Sequence, residues 1–148
     1  MVKPAADISD LDVAAWARLV RVSQNLLMQV EADLKSAGFP SLSCYDALLE
    51  LKRAGAGGLR PFQLQEQMLL AQYNVSRLTD RFVKSGYAER LRSTEDGRGQ
   101  VLKITKTGRV LLRQMWPTYR AAIQDHFAGK LDAKDVKEVS RILEKLKS

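Results

Sequence analysis

The chain has 148 residues, 45% of them hydrophobic and 28% charged, which is the balance of a sequence that folds as one ordinary domain. A single cysteine and a single histidine leave no internal disulfide, no zinc cluster and no histidine-based triad to build, so no catalytic residue, metal or cofactor is expected. Lysine and arginine number 24 against 17 acidic residues, a net charge of +7 that any function has to account for.

The first twelve residues lack the apolar core of a signal peptide, and no window approaches the roughly 20 apolar residues needed to span a bilayer. A cytoplasmic protein from a reducing compartment, with no membrane partner, is the expectation. From Leu11 to about Ala37, apolar residues recur three or four apart at Val13, Trp16, Leu19, Val20, Leu26, Leu27, Val30 and Leu34, the stripe of a long helix that Gly38 and Pro40 stop. A second helix runs from about Ser41 through Tyr45, Leu48, Leu49 and Leu51 to the glycine-rich stretch Gly55–Gly58. That stretch lacks the Lys and Ser/Thr of a phosphate loop and reads as a helix-ending turn. Pro61 suits the first turn of a short third helix carrying Leu64 and Met68.

A fourth helix is expected over about Gln72 to Ser85, with Val75, Leu78, Thr79 and Phe82 inward and Gly86 as its stop. The period then changes: Tyr87 to Ser93 and Gln100 to Ile104 flank a polar, glycine-containing turn and predict a β-hairpin. A long fifth helix from about Lys106 to Ala128 should kink at Pro117, which lacks a backbone donor. The last helix opens on Asp132 and spaces Val136, Val139, Leu143 and Leu146 as a narrow seam. Such a seam on so small a chain most simply finds its partner in a second copy.

The charge is not spread evenly along these elements. Residues 1–58 carry 6 basic and 7 acidic side chains, residues 59–113 carry 11 and 5, and residues 114–148 carry 7 and 5. The middle third, residues 59–113, therefore carries nearly all of the basic excess. Helix, tight connection, helix and hairpin is the order of a winged helix-turn-helix, in which one helix enters the DNA major groove and another braces it. With its apolar residues inward, the fourth helix presents Tyr73, Asn74, Ser76, Arg77, Arg81 and Lys84 outward. The early ones are placed to read bases, and Arg81 and Lys84 to meet phosphates. Arg98, in a turn flanked by glycines, is suited to a narrow minor groove, with Asp96 to hold a guanidinium in place. Arg90 and Arg92, two residues apart on the incoming strand, point the same way and would add phosphate contacts.

Asn74-Val75-Ser76-Arg77-Leu78-Thr79-Asp80-Arg81-Phe82, Gly86-Tyr87-Ala88-Glu89-Arg90, Asp96-Gly97-Arg98 and Leu102-Lys103-Ile104-Thr105 with Gly108 together resemble the MarR family of dimeric bacterial transcriptional regulators. The resemblance implies a mainly α fold with a small β-hairpin wing. The whole chain, 1–148, would be one such domain, with residues 41–110 as the winged helix-turn-helix and residues 8–38 and 106–148 as helices for dimerisation. It implies a homodimer on a pseudo-palindromic double-stranded operator, most simply a repressor released by a small aromatic or phenolic effector. Carried over by position, Asn74, Ser76 and Arg77 would contact DNA from the helix and Arg98 from the wing. Trp16, Tyr45, Trp116 and Tyr119 form the candidate effector pocket. Where the family commonly has Gly in the inter-helix connection and a Ser cap followed by Pro, this chain has Leu69, Ala71 and Gln72. That leaves open which of Gln72, Tyr73 and Asn74 reaches a base. Cys44 lies on the second helix, whereas peroxide-sensing relatives carry their cysteine on the first, so a buried inert thiol is expected. His126 is expected as a surface or capping residue. The competing reading is a winged-helix module that binds protein or RNA without operator recognition.

Overall fold

The computed structural model describes residues 7–70, 74–92 and 99–147, and within them six α-helices and one two-stranded sheet. In chain order these are α1 (Asp10–Ser36), α2 (Leu42–Ala54), α3 (Pro61–Gln67), α4 (Val75–Ser85), β1 (Ala88–Arg92), β2 (Gln100–Ile104), α5 (Lys106–His126) and α6 (Ala133–Lys145). The backbone clusters into two compact units, Leu34–Arg120 and the described parts of Met1–Asp33 with Ala121–Ser148.

The central unit is built around α2. Ser41 caps the helix by accepting the Cys44 N–H, and the helix buries Leu42, Cys44, Tyr45, Ala47, Leu48 and Leu51. After it, Leu59 exchanges two backbone hydrogen bonds with Leu102, of 2.9 and 2.7 Å, and so adds a one-residue third strand beside β2. Gly58 makes this possible, because a Cβ there would run into the Leu102 carbonyl. Pro61 opens α3, which buries Leu64, and Met68 caps its end from a buried position. β1 and β2 pair antiparallel from Ala88 opposite Ile104 to Arg92 opposite Gln100. Ala88, Leu102 and Ile104 turn inward to close the core against Leu78 and Phe82.

Three element boundaries differ from the sequence expectation. The fourth helix begins at Val75 and not near Gln72, because Asn74 has the non-helical backbone of a cap and accepts the Arg77 N–H at 2.9 Å. The first strand begins at Ala88: Tyr87 donates its N–H to Phe82 and sets its ring edge-on to that residue, joining helix to strand. α5 runs unbroken through Pro117 and ends at His126, and a short 3-10 turn follows over Ala128–Lys130.

In the terminal-helix unit, Ser9 and Asp12 cap α1 reciprocally, and Asp132 and Asp135 do the same for α6. No residue of α6 is buried; of the expected seam Val136, Leu143 and Leu146 stand exposed and Val139 is half-buried, and Ile142 beside them is exposed as well.

Candidate nucleic-acid interface

The face that α4 offers is fixed by what it buries. Val75, Leu78, Thr79 and Phe82 are all within the core, and the Thr79 hydroxyl donates to the Ser76 carbonyl at 2.9 Å, so its polarity is satisfied inside the helix. Ser76, Arg77, Asp80, Arg81 and Lys84 are left exposed on the other side. The side-chain oxygen of Asn74 is taken by its capping bond, which leaves only its NH2 to donate outward. The cap that the family pattern puts at a preceding Ser is thus supplied by Asn74.

Two of the expected cations behave differently from one another. Arg92 is exposed at the end of β1. Arg90, expected on phosphate, instead places its guanidinium on the carboxylate of Asp80, so that α4 and β1 are tied by an ion pair. Sequence pattern alone assigns no role to Asp80. The available signal was a lone carboxylate one turn from both Ser76 and Lys84 on an otherwise cationic stripe. Gln72, Tyr73, Asp96 and Arg98 lie outside the described residues.

Thr105 braces the end of α4 against the start of α5. Its hydroxyl donates to the Gly86 carbonyl at 2.6 Å and accepts the Gly108 N–H at 3.1 Å, while its own N–H donates to Tyr87. Gly108 is needed at this crossing because a Cβ would meet the Tyr87 carbonyl and the Ile104 side chain. On the other flank, the buried carboxylate of Asp46 on α2 accepts the Leu70 N–H at 2.8 Å and so anchors the connection that leads to α4.

Of the four aromatic residues expected to line an effector pocket, three come together. The Tyr45 ring lies 5.0 Å from Tyr119, edge-on, and 6.4 Å from Trp116, stacked. Tyr45 and Tyr119 border a cavity of about 290 Å3 together with Asp46, Glu50 and Arg53. Burial raises the phenol pKa of both tyrosines, and the Asp46 carboxylate raises that of Tyr119 further. Trp16 belongs to the terminal-helix unit and is 67% exposed on α1. Cys44 is buried, and desolvation pushes its thiol up to about 12 in spite of the opposing charge of Arg81. His126, expected as a surface or capping residue, is part-buried and bonds the Asp33 carboxylate at 2.7 Å, a pairing across 93 positions of sequence that no local pattern carries. Among the described residues no group of three His, Cys, Asp or Glu side chains is placed to hold a metal ion, and no helix is long and apolar enough to cross a membrane.

A braced helix with one cationic face, backed by a hairpin, is a winged helix-turn-helix. Residues 38–99 match the sequence profile of the MarR family. The fold is similar to that of AbsC, a MarR family transcriptional regulator from Streptomyces coelicolor, with a TM-score of 0.81 at 24% identity over 94% of this chain and 93% of that one. It is similar also to Sco3205, a MarR family transcriptional regulator from the same organism solved in complex with DNA, with a TM-score of 0.83 at 19% identity over 94% and 90% of the two chains. Among curated proteins, the HTH-type transcriptional regulator PrsX of Escherichia coli is 29% identical over 73 residues, which are 49% of this chain and 44% of PrsX. The match thus spans less than half the length of that relative.

Proposed function

We propose that the chain is a cytoplasmic, homodimeric, sequence-specific DNA-binding regulator of transcription, acting as a repressor by binding and not by catalysis. The observation that carries this is the division of α4: Val75, Leu78 and Phe82 are taken up in the core, and Ser76, Arg77, Arg81 and Lys84 remain on the open face. A membrane-surface helix would need an exposed apolar face beside its cations, and on α4 only Val83 is even half-exposed among the apolar residues. In this reading Ser76, Arg77 and the Asn74 amide reach base edges, with Gln72 and Tyr73 just ahead of them. Arg81, Lys84 and Arg92 meet phosphates, and Arg98 enters the minor groove with Asp96 beside it. That Sco3205 has been solved on DNA supports the reading.

The homodimer is supported by the terminal-helix unit. Its groove, about 660 Å3 and lined by Leu19, Val22, Phe127, Val139 and Leu143, stands open in the single chain. A small aromatic or phenolic effector would act through the ring cluster of Tyr45, Trp116 and Tyr119. Gel-shift titration against genomic fragments, beginning with DNA upstream of the chain's own gene, tests the proposal. One fragment retained at salt concentrations that release the rest is the expected result. Uniform, purely salt-driven retention would favour a winged-helix module that binds protein or RNA without operator recognition.

A further inference from the structure

One acidic side chain stands on the face of α4 that the DNA-binding reading assigns to nucleic acid. Asp80 lies one turn beyond Ser76 and one turn before Lys84, and its carboxylate holds the Arg90 guanidinium of β1. The two side chains keep 67% and 37% of their surface open to solvent. We propose that Asp80 is a positioning and specificity-determining residue: it withholds Arg90 from the phosphates and fixes the base of the hairpin to the recognition helix. The proposal rests on the DNA-binding reading and deepens it.

The argument is one of charge. An ion pair this exposed adds little to fold stability, because water screens it. Facing a polyanion it matters more. The pair is neutral as a unit, so it releases no counterion when DNA binds, whereas a free arginine on a phosphate would release about one. Asp80 thus lowers affinity for DNA of any sequence, and the same contact holds β1 in one orientation relative to α4. A narrower geometry with fewer phosphate contacts favours the sequence that fits over the many that do not.

The test is the salt dependence of binding to a short duplex of arbitrary sequence, from about 50 to 200 mM salt. It compares the parent chain, Asp80→Asn, Arg90→Gln and the double variant, each first checked for a parent-like circular dichroism spectrum. Asp80→Asn is expected to steepen the slope of log K against log salt by about 0.9 and to tighten binding several-fold near 0.1 M salt. Arg90→Gln should weaken binding, by baring Asp80, without flattening the slope. The double variant should return to the parent slope, a reversal that a merely structural role for either residue would not produce. An Asp80→Asn slope equal to the parent's, with Arg90→Gln alone flattening it by about one, would overturn the proposal and put Arg90 on a phosphate. A parent chain that binds no duplex at any salt would overturn the DNA-binding reading as well, and so is a distinct result.

Discussion

Burial decides the chemistry of Cys44. With its thiol pushed up to about 12, the buried side chain is uncharged at physiological pH and a poor nucleophile. Because the folded pKa lies above that of an unfolded cysteine, the contribution of this group to stability is complete below pH 9.0. It is lost as pH rises from there to about 12, by about 1 kcal/mol per pH unit at most. Cys44→Ala should flatten the alkaline fall in urea midpoint over that window, and native Cys44 should resist iodoacetamide until urea is added. Rapid labelling of the folded chain would contradict the assignment. Asn74→Ala should cost ~1 kcal/mol, the usual value of an N-cap, seen as a lower unfolding midpoint. Arg77→Ala should both weaken binding and relax sequence preference, read from competition between preferred and arbitrary duplexes. Residue-scale features were unevenly legible. The inward set Val75, Leu78, Thr79 and Phe82 follows from a 3.6-residue period alone. Asp46 with Leu70, Asp80 with Arg90 and Asp33 with His126 do not, because each joins residues on different elements and requires the folded register.

Elements were recognised from their periods and stops, and they were misplaced only where a side chain or a junction sets the boundary. The start of α4 shifted because a capping bond from Asn74 ends the helix three residues inside the expected span. The junction of α4, the hairpin and α5 depends on Thr105, whose hydroxyl both donates to Gly86 and accepts from Gly108. Thr105→Val keeps the shape and removes both bonds, so it should destabilise by roughly 1–3 kcal/mol while leaving the far-ultraviolet spectrum intact. Thr105→Ser should restore most of the loss, and equal stability of the two variants would show that the hydroxyl is idle. Gly108→Ala should be worse than an exposed substitution, because the Tyr87 carbonyl occupies the space a methyl would need. The third strand at Leu59 escaped notice for a simple reason. A single residue carries no period, and only its two bonds to Leu102 reveal it.

At the scale of the whole molecule, the net charge of +7 and the exposed apolar residues call for two different partners. Val136, Ile142 and Leu143 on α6 and Leu146 at its end, with Leu11, Trp16 and Val22 on α1, are large apolar side chains exposed in the single chain. Fully burying each is worth roughly 1.5–3 kcal/mol. A second copy would cover them, and Leu143→Glu should convert a dimer to a monomer in sedimentation analysis and abolish tight DNA binding with it. A parent chain that sediments as a monomer at micromolar concentration would remove the dimer from the account. The central claim, that two basic faces read one DNA site together, is tested most directly by selecting bound sequences from a random duplex pool. The account predicts enrichment of an inverted repeat whose half-sites are centred roughly 34–36 Å apart, one helical turn. A pool that stays unenriched while the chain still binds it would contradict that claim.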